Sequence, residues 1–314
     1  MGLIKNKKVS IETISKINEE NLALVLAEEG ERVKIVHSLK SELIPQIQEF
    51  ITSSEHDSNR EEGYLALACI GKHTGIDSSS FIIENVLNEK NPELIGNTLS
   101  RLKGWQTPIV GQVEKLAPLL KSRKKDIREG AISALAVCQS EQVQAEEALI
   151  SLLEETKNDD ALFWISQSLE VIGTSKCLPT LIRRYKETRS LDTVAVMAMA
   201  IAQIDPIGQT DFFIDLLENR NETVVHRVAM NCLAKSLDSK ALPAVKFKVE
   251  KNLRKKPTSP DIDYQGEIPE MVSAITYLMH YKADPDISTL LDTIKNKKSD
   301  FLDFPTLKWV KNNL

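Results

Sequence analysis

At 314 residues the chain is long enough for two domains, and its formal charge of −5 disfavours a general nucleic-acid binder, which must neutralise many phosphates. Aromatics make up only 5% of the residues, so Leu, Ile, Ala and Val must carry any core. No apolar stretch reaches transmembrane length, and no strand-like alternation appears, so the expected class is all-α.

The first residues include Lys5, Lys7 and Lys8, but no apolar segment follows them. A signal peptide is therefore not expected, and the expected location is cytoplasmic. The lysines are compatible with membrane contact but too few to specify it. Residues 1–38 read as a helical N-terminal cap, with helices over Ile11 to Asn18 and Leu22 to Val36. The second carries the acidic cluster Glu28, Glu29 and Glu31.

From residue 39 to residue 284 helices recur in pairs. The first members run Leu43 to Ile51, Phe81 to Leu87, Val113 to Leu120, Ala148 to Glu154, Leu178 to Tyr185, Phe212 to Leu217 and Ala241 to Val249. Each second member carries a small residue followed by an apolar one: Ala66-Leu67, Thr98-Leu99, Ala134-Leu135, Ser168-Leu169, Ala200-Ile201, Cys232-Leu233 and Ala274-Ile275. The steps between the small residues are 32, 36, 34, 32, 32 and 42. A near-constant period in this range marks stacked repeats. Around each pair the apolar positions follow the i, i+3, i+4, i+7 stripe of a helix with one buried face, as in Ala131, Ala134, Leu135 and Cys138. A small residue on that stripe lets neighbouring helices approach closely. Ser58 with Glu61, and Asp126 with Glu129, have capping-box spacing. Asn91-Pro92, Ser190 and Asn221 are further helix-start signals.

This pattern resembles the HEAT-repeat (armadillo-like) family. The third pair carries the resemblance best, with Pro118 in its first helix, Asp126 and Arg128 opening the second, and the run Ala131-x-x-Ala134-Leu135. Pro45 with Arg60, and Pro179 and Pro243, repeat it in part. The resemblance implies an all-α fold: an α-solenoid of about seven HEAT-like hairpins with helical caps. The units fall near 39–75, 77–108, 112–140, 144–174, 177–206, 210–238 and 241–284. Residues 285–314 form the C-terminal cap, in which Trp309 is expected to close the core.

The long last step comes from an insertion over 252–270, where three prolines and a glycine exclude a continuous helix. A basic segment there meets an acidic one, with Ile262 and Tyr264 expected to be exposed. Insertions in repeat proteins map to loops and often reach a binding face. Other basic runs, among them Lys246 to Lys256, are expected on solvated faces.

In HEAT-like solenoids the second helix of each unit lines the concave side. Two positions before the apolar residue of each pair, the helical wheel points away from the stripe. That row reads Leu65, Asn97, Ser133, Gln167, Met199, Asn231 and Ser273. The row one position after reads Ala68, Ser100, Ala136, Glu170, Ala202, Ala234 and Thr276. Together they describe a shallow floor suited to another protein. Trp105, Phe163, Trp164, Tyr277, His280 and Tyr281 are candidate anchors, because large aromatics dominate binding when exposed. Trp164 is expected to be half-buried, and Trp105 to pack under the next turn. The residues singled out for partner binding are Asn97, Gln167, Asn231, Ile262, Tyr264, Tyr277, His280 and Tyr281.

No catalytic, cofactor or metal site is expected. The five histidines show neither HxxxH nor HExxH spacing, and no GxSxG, GxxxxGK[ST] or GxGxxG occurs. The four cysteines form no CxxC and read as reduced, packed side chains. The expected function is a non-catalytic protein-binding scaffold. Its size and acidity are compatible with a bacterial toxin-neutralising immunity protein. The alternative is a HEAT-like alkylpurine DNA glycosylase, against which the groove rows lack a Lys/Arg stripe. Phycobilin lyases, also helical-repeat proteins, fit less well.

Overall fold

The computed structural model describes residues 41–254 and 269–314. The expected N-terminal cap and the insertion residues Ile262 and Tyr264 lie outside the described residues. Among the described residues the protein is all-helical, with no strand. Its chain divides into two compact units after Ile172.

The first unit contains α1 (Ile44–Ser53), α2 (Asp57–Thr74), α3 (Ser79–Val86), α4 (Pro92–Gly104), α5 (Val113–Leu116), α6 (Lys125–Leu135), α7 (Gln142–Glu155) and α8 (Asp159–Ile172). Pairs form as the apolar stripes require: α1 packs on α2, α3 on α4, and α7 on α8. The second members then pack in series, α2 on α4, α4 on α6 and α6 on α8. Pro118 breaks the first helix of the third pair, which is one turn of α-helix at α5 followed by a 3-10 helix over Ala117–Lys121. A proline nitrogen has no hydrogen to continue the α-helical ladder.

Helices α4 and α6 approach glycine on glycine. A Cβ on Gly130 of α6 would lie 2.6 Å from the carbonyl oxygen of Gly96 in α4, and one on Gly96 would lie 2.4 Å from that of Asp126. These two helices therefore meet main chain to main chain. In the next pairing, the buried Ser168 hydroxyl of α8 donates to the Ile132 carbonyl of α6 at 3.0 Å.

The second unit contains α9 (Leu178–Glu187), α10 (Leu191–Ile204), α11 (Thr210–Asn219), α12 (Thr223–Ser236), α13 (Leu242–Asn252), α14 (Glu270–His280), α15 (Pro285–Lys297) and α16 (Phe304–Asn313). Here α9 packs on α10, α11 on α12 and α13 on α14, while α10, α12 and α14 follow one another. In the C-terminal helix Val310 and Thr306 are the buried residues, and Trp309 is only half-buried.

One hydrogen bond recurs across both units. Arg60 Nη1 donates to the Ser54 carbonyl at 3.0 Å, Arg128 Nη1 to the Ser122 carbonyl at 2.9 Å, and His226 Nε2 to the Arg220 carbonyl at 2.7 Å. Each donor stands six residues before the small residue of its pair, at Ala66, Ala134 and Cys232. Each acceptor is the residue that caps the C-terminal end of the preceding helix. The hook satisfies a carbonyl that a helix end leaves without an intrahelical partner, and it ties the two helices of a pair together.

Helix starts agree with the sequence in part. Asn91 accepts from Glu93 N at 3.0 Å with Pro92 in the first turn, and Ser190 accepts from Thr193 N at 3.4 Å. Neither capping box forms. α2 begins at Asp57, which puts Ser58 already inside the helix, and α6 begins at Lys125, which puts Asp126 in its first turn. An acid there still complements the helix dipole. At α12 the N-cap position is Glu222, not Asn221, and its side chain makes no cap bond.

Candidate partner-binding cleft

In the first unit, the series α4, α6 and α8 places residues from three successive pairs around one cleft of about 510 Å³. Asn97 and Gln167, both singled out from the sequence, line it together with Ser133 of the same row. Trp105 and Trp164 line it as well. Trp164 is half-buried, with its ring edge-on to Phe163 at 5.5 Å.

Trp105 owes its place to the way α4 ends. Its N–H donates to Arg101 O at 2.8 Å, and the next residue, Gln106, turns into the left-handed region with φ 53°. Thr107 then fastens the turn. Its N–H reaches Leu102 O at 2.8 Å, and its buried hydroxyl reaches Ala68 O of α2 at 3.0 Å. The indole is thus held on a turn anchored at both ends.

The charged residues lining the cleft are Arg101 and Lys103, both cations, and no carboxylate, histidine or cysteine lines it. Each cation has an acid acting on it. Arg101 Nη1 lies 3.0 Å from Glu61 Oε1. Burial pushes the Lys103 ammonium below its ordinary pKa, an effect that Glu170 partly offsets. Burial likewise pushes the Glu170 carboxyl up, against the pull of Lys103. The arrangement offers indole faces, amides, hydroxyls and positive charge. Such groups can hold a ligand through stacking, hydrogen bonds and charge.

Two parts of the sequence reading need correction. The row that includes Asn97 does not face solvent throughout. Leu65, Ser133 and Ser273 are buried, at 4%, 1% and 5% exposure. The second helices are covered by one another as well as by their own partners, so a residue opposite the stripe can still lie beneath the next helix. Ser133 sits on α6 between α4 and α8, and its Oγ has no hydrogen-bond partner among the described residues. The sequence reading also missed Arg101 and Lys103. Asn97, Ser100, Arg101 and Gly104 follow helical spacing, so continuing the row along α4 leads to Arg101.

In the second unit the proposed anchors are mostly structural. Tyr277 is fully buried and its hydroxyl donates to the Asp238 carbonyl. Tyr281 is half-buried, and its hydroxyl donates to the Leu237 carbonyl. The two rings lie 5.2 Å apart. Both hold the turn after α12, where Leu237 adopts a left-handed φ of 51°. A non-glycine residue in that region is strained and must be held by its surroundings. Asn231 accepts a hydrogen bond from the Ser273 hydroxyl. Of the described anchors in this unit, His280 alone is exposed, its ring edge-on to Tyr281 at 5.0 Å.

The basic run over Lys246 to Lys256 also departs from expectation, because Lys248 is buried at 9% exposure. Its Nζ lies 2.6 Å from His226 Nδ1 and 3.6 Å from Glu270 Oε1. Since the Arg220 carbonyl can only accept, His226 Nε2 carries the ring proton and Nδ1 accepts from the lysine. Burial lowers the pKa of both groups, and for His226 the neighbouring Lys248 charge lowers it further. All four cysteines are buried.

No model of a known family matches the chain, and no curated protein matches it. Among the described residues no helix is long and apolar enough to cross a membrane. No group of three or more His, Cys, Asp or Glu among them is placed to hold a metal ion.

Proposed function

We propose that this protein is a non-catalytic binding module that holds a protein partner on the second helices of its pairs, as a HEAT-like solenoid of about seven hairpins would. The observation that carries the reading is the convergence of Asn97, Gln167, Trp105 and Trp164 on one cleft. The recurrent Arg/His hook and the serial packing within each unit support the repeat architecture. A toxin-neutralising immunity protein of the cytoplasm is one member of this class, in keeping with the acidic chain.

The test is affinity capture with the full chain against a Trp105→Ala, Trp164→Ala double variant that circular dichroism shows to be folded. A binding module retains a specific protein that the variant loses. The reading fails if the two baits retain the same proteins.

The two indoles and two cations also give the DNA glycosylase alternative its one favourable observation. Base excision would draw on a carboxylate, and none lines the cleft. DNA affinity that falls steeply with salt would favour the alternative.

A further inference from the structure

We propose that the cleft recognises a short acidic peptide segment of its partner, with an apolar side chain against the indoles and a neighbouring carboxylate on Lys103. The inference rests on the protein-binding reading and deepens it by naming the chemistry recognised.

Four observations carry it. The cleft's volume of about 510 Å³ lies within the roughly 300–1,000 Å³ of ordinary ligand sites. Its lining charge is positive only, from Arg101 and Lys103. Of the two, Arg101 already pairs with Glu61, whereas Lys103 feels the Glu170 carboxylate only through its charge. A partly buried ammonium without such a pair gains most from an incoming carboxylate, since a charge-assisted hydrogen bond restores what burial removed.

The third observation is polar. Ser133 lines the cleft, is 1% exposed, and its hydroxyl has no hydrogen-bond partner among the described residues. A buried hydroxyl left unmade costs free energy, which a carbonyl or amide arriving in the cleft recovers. Asn97 and Gln167 flank it with amides, which match the donors and acceptors of a peptide backbone. The fourth is apolar: Trp105 and Trp164 give an aromatic or branched side chain flat surfaces to cover.

A nucleic-acid strand fits less well. Strand binding needs a track of cations along the backbone, and here two cations stand on a chain of net charge −5.

The chain has three tryptophans, two of them in the cleft and the third at Trp309. Trp309→Phe in the full chain therefore leaves a fluorescence signal that reports the cleft alone. Into that protein one titrates an N-acetylated, C-amidated tripeptide of aspartate, phenylalanine and aspartate. Its lysine-phenylalanine-lysine counterpart and an oligothymidylate serve as the other arms.

The acidic peptide is expected to change the emission saturably, and the basic one not. Lys103→Gln is expected to weaken binding about tenfold or more, the worth of one charge-assisted hydrogen bond. Lys103→Arg, which keeps the charge, is expected to recover most of the affinity. Circular dichroism on each variant separates lost binding from lost folding.

The inference is overturned if the acidic peptide gives no saturable change into the millimolar range. Equal responses to both peptides, or saturation by the oligothymidylate alone, overturn it too. Its failure is distinguishable from failure of the protein-binding reading. A captured protein lost on Trp105→Ala, Trp164→Ala, with no response to the acidic peptide, removes the chemistry and leaves the module.

Discussion

His226 is the residue through which this protein should sense acid. Its folded pKa is lowered by burial and by the Lys248 charge. Above the ordinary histidine pKa of about 6.5 the ring is neutral in both folded and unfolded chains, and contributes no pH dependence. Below it the unfolded chain takes up a proton that the folded chain resists, so stability falls until the folded pKa is reached. Glu270 and Glu222 lessen the effect without reversing it. The melting temperature is therefore expected to fall as the pH drops below about 6.5, and to fall less in His226→Gln, whose amide still offers a donor and an acceptor. Equal slopes in the two proteins would show that the ring does not carry the effect. Tyr277 is the second residue to test. As a core ring rather than a surface anchor, Tyr277→Ala is expected to cost about 3–5 kcal/mol, the range for deleting a buried aromatic. Tyr277→Phe, which leaves the Asp238 carbonyl without its donor, is expected to cost about 1 kcal/mol. A surface anchor would leave melting unchanged in both.

Among elements, the crossing of α4 and α6 is exacting because main chain meets main chain. Gly130→Ala would put a methyl group 2.6 Å from a main-chain oxygen, and a helix cannot move one atom without moving its turn. Chemical denaturation of that variant is expected to show a loss of about 1–3 kcal/mol, the usual cost of overpacking. Gly104→Ala, also in α4 but with nothing within 4 Å of its added Cβ, is expected to gain up to about 1 kcal/mol. If both variants behave alike, backbone entropy and not the crossing decides. This contact also shows what the sequence could and could not reveal. The apolar stripe is local: Ala131, Ala134 and Leu135 are spaced by one helix's own geometry, and the pairs were legible from it. Gly96 and Gly130 meet because two helices whose glycines are 34 positions apart choose one another. A single helical wheel carries no trace of that choice, so Ser133 read as open floor. Lys248 was misread for the same reason, since the group that covers its charge, His226, lies on another helix. The cleft was half legible: its row members Asn97 and Gln167 could be found by phase, while its cations required knowing where α4 ends.

At the scale of the whole molecule, each compact unit carries two buried thiols, Cys69 and Cys138 in the first and Cys177 and Cys232 in the second. Burial pushes the Cys138 thiol up to about 12 and the Cys232 thiol up to about 11. Thiolate is the reactive form, so the folded chain is expected to resist a thiol reagent at pH 8 and to react as denaturant opens it. Mass spectrometry of the labelled peptides then reads the opening of each unit separately. Rapid labelling of Cys138 without denaturant would contradict its packing. The glycine crossing also sets the spacing within the proposed binding cleft. Asn97 directly follows one of the touching glycines, and Ser133 lies one turn beyond the other. Their separation is inherited from main chain, which no side-chain exchange at either position rewrites. Positions 97 and 103, both on α4, can therefore be treated as replaceable type in a fixed frame: a library varied there is expected to change what the proposed site recognises while the page it is printed on stays still.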